Sequence, residues 1–124
     1  MRSIIGLLFL GMLLSLNAEA VYLRYCPNLG NTFSLGFGFC VNNNFSEVSR
    51  TLGQGIFLRS CHNTSSHGIS MIYEHCINEN FSKIANALDH QVFFRFCNNA
   101  SNHEVSWFFV NCINENFDRL EREL

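Results

Sequence analysis

Phe33-Ser34-Leu35-Gly36-Phe37-Gly38-Phe39-Cys40 alternates large apolar side chains with small ones. A period of two is the signature of a strand. The stretch therefore reads as β, with Phe33, Leu35, Phe37 and Phe39 on one face and Ser34, Gly36, Gly38 and Cys40 on the other. Glycine opposite phenylalanine predicts close approach of a neighbouring element on the glycine face.

Downstream the spacing changes. Val41, Phe45, Val48 and Leu52 recur at i, i+4, i+7 and i+11, which is one face of an α-helix. Asparagines crowd the head of this run in Cys40-Val41-Asn42-Asn43-Asn44-Phe45, where a side-chain oxygen can accept from an unpaired backbone N–H and cap the helix. Gly53 and Gly55 supply a stop, because glycine enters the left-handed region freely. Upstream, Val21-Tyr22-Leu23-Arg24-Tyr25-Cys26 is β-branched and aromatic and reads as a first strand, followed by a polar loop over 27–32.

The same text occurs three times. Val21 to Cys26 returns as Ile56-Phe57-Leu58-Arg59-Ser60-Cys61 and Val92-Phe93-Phe94-Arg95-Phe96-Cys97, with polar loops over 62–68 and 98–104. The Cys40 motif returns as Cys76-Ile77-Asn78-Glu79-Asn80-Phe81 and Cys112-Ile113-Asn114-Glu115-Asn116-Phe117. Glu79 and Glu115 also suit the positive end of a helix dipole. The helical spacing recurs in Ile77, Phe81, Ile84, Leu88 and in Ile113, Phe117, Leu120, Leu124. The expected fold class is thus α+β, with three tandem strand-loop-strand-helix repeats (21–55, 56–91, 92–124). Each is too small to bury its own apolar face, so the three are expected to pack as one disulfide-stapled domain over 21–124.

Six cysteines stand at 26, 40, 61, 76, 97 and 112. If the repeats are equivalent, only three pairing rules survive: within a unit, between neighbouring units, or skipping one. The within-unit rule is preferred, joining Cys26 to Cys40, Cys61 to Cys76 and Cys97 to Cys112, since a unit copied whole carries its own bridge. Hairpin geometry opposes it, because Cys26 and Cys40 would lie at opposite ends of a tight hairpin. Zinc is the rival use of these cysteines, but no Cys-x-x-Cys spacing occurs, and no metal or other cofactor is expected.

Met1-Arg2-Ser3, the apolar run Ile4 to Leu16 and the small residues of Ala18-Glu19-Ala20 form a secretory signal peptide over 1–20, cut after Ala20. The run is too short to span a bilayer, and no later segment reaches that length. An oxidising compartment follows, which suits disulfides. Asn44, Asn63, Asn80 and Asn99 each open an Asn-x-Ser/Thr sequon and are candidate glycosylation sites. The terminal Glu121-Arg122-Glu123-Leu124 departs from lumenal retention signals, so endoplasmic reticulum retention is the minor alternative to secretion.

Charge excludes some partners. Eight basic against ten acidic residues give a net charge of −2, and the mature part keeps it, so no electrostatic footprint for nucleic acid or anionic lipid exists. Residues shared by all copies are read as structural: Arg24, Arg59 and Arg95 as guanidiniums paired to carboxylates or carbonyls, and Ser34, Ser70 and Ser106 as turn or strand-edge serines. Among His62, His67, His75, His90 and His103, only His67 and His103 occupy equivalent positions, and no motif assembles an acid–base pair, so no catalytic residue is assigned. Trp107 and Tyr73 are candidate interface anchors, and core residues on the strand reading. Aromatics are densest in the third copy, at Phe93, Phe94, Phe96, Trp107, Phe108 and Phe109, where adjacent rings on a strand must face both ways.

The function expected is an extracellular binding module. Its contact surface would be the variable loops and the aromatic third copy, and its partner an extracellular protein or receptor. A carrier of an apolar or lipid ligand is the second reading, and a small secreted hydrolase or nuclease the third.

Overall fold

Ser34 starts the first helix, eight residues before Asn42. A computed structural model describes residues 21–53, 55–99, 101 and 103–124; the signal-peptide reading of 1–20 lies outside the described residues. Helix α1 runs Leu35–Leu52, α2 Met71–Ala87 and α3 Trp107–Glu123. Each opens on a serine N-cap: Ser34 Oγ accepts from the Phe37 N–H, Ser70 Oγ from Tyr73 and Ser106 Oγ from Phe109, at 3.3, 3.2 and 3.1 Å. The caps are held in turn by Asn28, Asn63 and Asn99, whose Oδ1 accepts the serine N–H at 2.8, 2.8 and 2.7 Å.

The α+β expectation is therefore corrected. Among the described residues the chain is all helical, with three helices and no strand. The alternation of 33–40 conceals an i, i+4 face in which Phe37 leads into Val41 and Phe45. Consecutive members of the supposed strand face stand about 200° apart on a helix, so they cannot share an environment. Phe37 is fully buried, whereas Leu35 is 73% and Phe39 67% exposed. The glycine expectation fails with the strand: a Cβ on Gly38 would meet the ring of Phe33 at 3.0 Å, a residue of the same stretch rather than a neighbouring element, and Gly36 faces open space. At the other end Gly53 adopts φ 79° and donates to Ser49 O, closing α1 as expected of a glycine stop.

The segments 21–26, 56–61 and 92–97 are extended but pair with no neighbouring strand. Side-chain amides take the strand's place. Asn44 accepts from Arg24 N and donates to Arg24 O, both at 2.9 Å, and Asn80 and Asn116 do the same for Arg59 and Arg95. Asn42, two residues before Asn44 and so on the opposite flank of α1, grips both backbone groups of Cys61 in the next copy; Asn78 grips Cys97 likewise. Asn114 then reaches back to the first copy, accepting from Cys26 N at 2.7 Å and donating to Cys26 O at 2.8 Å. The ring closes. Each extended segment is clamped by its own helix and by the one before it, which satisfies buried backbone groups that no sheet provides for.

Inside the ring, Phe45, Phe81 and Phe117 form a triangle with all three ring-centroid distances at 5.1 Å. Val41, Ile77 and Ile113 are fully buried, as are Phe37, Tyr73 and Phe109 nearer the helix starts. Tyr73 lies against Phe109 at 6.5 Å, and Phe33 against both Phe37 and Tyr73. Because equivalent residues meet layer by layer, the three helices run in one direction, with their N-termini at one end. Parallel helices need long returns, and 53–70 and 88–106 supply them.

Cys26–Cys40, Cys61–Cys76 and Cys97–Cys112 are bridged, with Cα–Cα distances of 5.5, 5.7 and 5.6 Å. The within-unit rule is the one adopted. The hairpin objection vanishes because no hairpin exists among the described residues: the second cysteine of each pair sits in the second turn of a helix, beside the extended segment that carries the first.

Tyr73 departs from its counterparts Phe37 and Phe109 by one hydroxyl, buried without a hydrogen-bond partner. Burial pushes its pKa up, so the group stays neutral. Tyr73→Phe is expected to raise stability by about 1 kcal/mol, the cost of an unmet polar group. Urea unfolding of the oxidised protein checks this, and a loss of stability would show that the hydroxyl has a partner.

Candidate interaction surface

First-turn helix residues that point away from a core are ordinarily polar, because nothing folds over them. Here they are apolar. Leu35 opens α1, Met71 and Ile72 open α2, and Trp107 and Phe108 open α3, with exposures of 73, 85, 65, 67 and 75%. Trp107 and Phe108 pack edge to face at 5.3 Å, so they form one raised aromatic ridge. Tyr25 and Pro27 face Trp107 and Val110 across a cleft of about 280 Å³. Since the helix N-termini share one end of the ring, these side chains stand around that end, on three different helices. Glu74 is the one acidic residue in the first turns.

The aromatics of the third copy divide. Phe109 is fully buried and Phe94 half-buried against Phe81 at 5.1 Å, while Phe93, Phe96, Trp107 and Phe108 are exposed. Tyr73 is a core residue and Trp107 a surface one. Sequence reasoning missed Leu35, Met71 and Ile72; an apolar residue directly after a Ser cap was the available signal, hidden once 33–40 was read as a strand.

The recurring serines are helix caps rather than strand-edge residues, and their hydroxyls are turned to backbone N–H groups. Arg59 and Arg95 pair with Glu79 and Glu115 at 3.2 and 2.7 Å. Arg24 has no such carboxylate, because Asn43 stands at the corresponding position. All five histidines are exposed. His62 lies 3.3 Å from Ser60 Oγ, His67 lies 3.2 Å from Ser66 Oγ, and His75 lies 4.0 Å from Glu79; each partner is close in sequence, so the fold does not gather the histidines. No cluster of three or more potential metal ligands occurs among the described residues.

The four sequon asparagines are all used by the fold. Asn44 and Asn80 are buried, and each Nδ2 donates both to an arginine carbonyl and toward a disulfide sulfur. Asn63 and Asn99 are half-buried and donate through Nδ2 to two loop carbonyls each. A glycan on Nδ2 replaces one of its hydrogens and needs open space. The folded protein is therefore expected to carry no N-glycan at Asn44 or Asn80. Glycopeptide mass spectrometry checks it; a folded protein modified at either site would contradict the clamps.

Compared with known protein families, with curated proteins and with solved structures, the chain matches none.

Proposed function

We propose that the chain is an extracellular binding module that engages a protein partner through the apolar end of its helix ring. Three disulfides in a small domain are compatible with a secreted extracellular module, and no helix among the described residues is long and apolar enough to cross a membrane. The observation that carries the reading is the exposure of Leu35, Met71, Ile72, Trp107 and Phe108 in the first turns of the three helices, with Trp107 and Phe108 packed together, none of them required by the core. Exposed aromatic residues beside a small cleft suit an interface centre, and Trp is among the residues enriched at positions that dominate binding.

The test is capture from extracellular fluid with the mature chain and with Trp107→Ser/Phe108→Ser. A specific protein retained by the first and lost from the second, with at least about a tenfold drop in affinity, is the expected result. His62→Ala and His67→Ala should leave capture unchanged. Retention of the same protein by the serine variant would remove this surface from the reading, and lipid co-purifying with the native chain would favour a carrier instead.

A further inference from the structure

Copies two and three close the groove beside their extended segment in the same two ways. Arg59 and Arg95 are tied to Glu79 and Glu115. One turn further along each helix, a basic side chain crosses the groove to the backbone: Lys83 Nζ donates to Phe57 O at 3.3 Å and sits 5.7 Å from the centre of its ring, and Arg119 donates to Phe93 O at 3.0 Å. The first copy departs at both positions. Asn43 replaces the glutamate and Glu47 the basic residue, and Glu47 turns to Arg50 instead. Among the described residues, nothing crosses this groove, and the Arg24 guanidinium pairs with no carboxylate or carbonyl. The groove opens into a cleft of about 720 Å³ lined by Tyr22, Arg24, Asn43, Ser46, Glu47 and Thr51, among others.

We propose that this cleft binds an acidic saccharide unit, with Arg24 holding its acidic group. A guanidinium fork matches the two oxygens of a carboxylate or sulfate. The Asn43 amide, the Ser46 and Thr51 hydroxyls and the Glu47 carboxylate supply the mixed donors and acceptors that ring hydroxyls require. Tyr22, 75% exposed, offers an aromatic face to the apolar side of a sugar ring. Arg24 and Arg50 against Glu47 give the lining side chains a charge of +1, and the Val21 ammonium that cleavage after Ala20 exposes adds a second positive charge at the cleft. The volume falls in the range of small-ligand sites, about 300–1,000 Å³. The site is distinct from the apolar helix end and goes beyond the protein-binding reading, so either can fail alone.

Calorimetric and NMR titration of the mature chain with three disaccharides tests it: one with an unsulfated uronic acid, one sulfated and one neutral. An acidic disaccharide is expected to bind at least about tenfold more tightly than the neutral one, shifting the resonances of Tyr22, Asn43 and Thr51. Preference for the uronate or for the sulfate supports the site and identifies the acid. Arg24→Gln should weaken binding about tenfold or more. Asn43→Glu/Glu47→Lys, which installs the residues of the other copies, should close the cleft and abolish binding while leaving the circular dichroism spectrum unchanged. Equal binding of the neutral sugar, no binding of either acidic sugar at about 10 mM, or wild-type affinity in a folded variant would overturn the proposal.

Discussion

Full reduction of the three disulfides is expected to unfold the domain at room temperature. The bridges close loops with sequence separations of 14, 15 and 15 residues, and in the chain-entropy account each such loop contributes about 3 kcal/mol. The loops do not overlap, so their contributions add to about 9 kcal/mol, within the whole net stability of a typical domain, about 5–15 kcal/mol. The loss also strikes where it cannot be absorbed. Each extended segment has no sheet to join and is held mainly by its asparagine clamps and its one bridge, with a single further side-chain bond from Glu121, Lys83 or Arg119. Far-ultraviolet circular dichroism with and without reductant checks this. A reduced protein that kept its helical signal and melted within a few degrees of the oxidised one would refute it.

Asn114→Ala is expected to lower stability by about 3 kcal/mol or more, since it orphans both the Cys26 N–H and the Cys26 C=O, at about 1–3 kcal/mol each. The two bonds, at 2.7 and 2.8 Å, join residues 88 apart and are the clamp that shuts the ring. For a domain of this size the melting temperature should fall by about 15 °C. Asn114→Asp should be no better, because it keeps the acceptor, loses the donor and places a charge among buried groups. Hydrogen exchange separates this account from general loosening: protection should collapse first in 21–26 and persist in 92–97, which Asn78 and Asn116 still hold. Uniform loss of protection, or a change below about 1 kcal/mol, would count against the clamp.

The period of the cysteines, the helical faces beginning at Val41, Ile77 and Ile113, and the preferred pairing rule were all legible in the sequence. Phe33 to Cys40 was not, because Gly36 and Gly38 thin out the pattern until a helical face and an alternating strand look alike. The counterpart residues held the answer: Tyr73 and Phe109 each lie four residues before Ile77 and Ile113, extending the helical spacing upstream in copies that show no alternation. The asparagines read as caps in the sequence and act as clamps in the fold. Two of them at i and i+2 in mid-helix make poor caps but good clamps for the segments flanking that helix, and only the three-dimensional arrangement shows what they hold. The apolar helix end followed from neither pattern, since exposure at a first turn depends on where the cap falls.

Closure through Asn114 sets the stoichiometry of the architecture. An open solenoid accepts another unit at either terminus, because its last repeat always presents a vacant docking edge. Here the final helix spends that edge on the first segment, so a fourth module would find no berth without prying Phe45, Phe81 and Phe117 apart. A further unit could join only by breaking this closure, whereas substitutions such as those at Asn43 and Glu47 leave it intact.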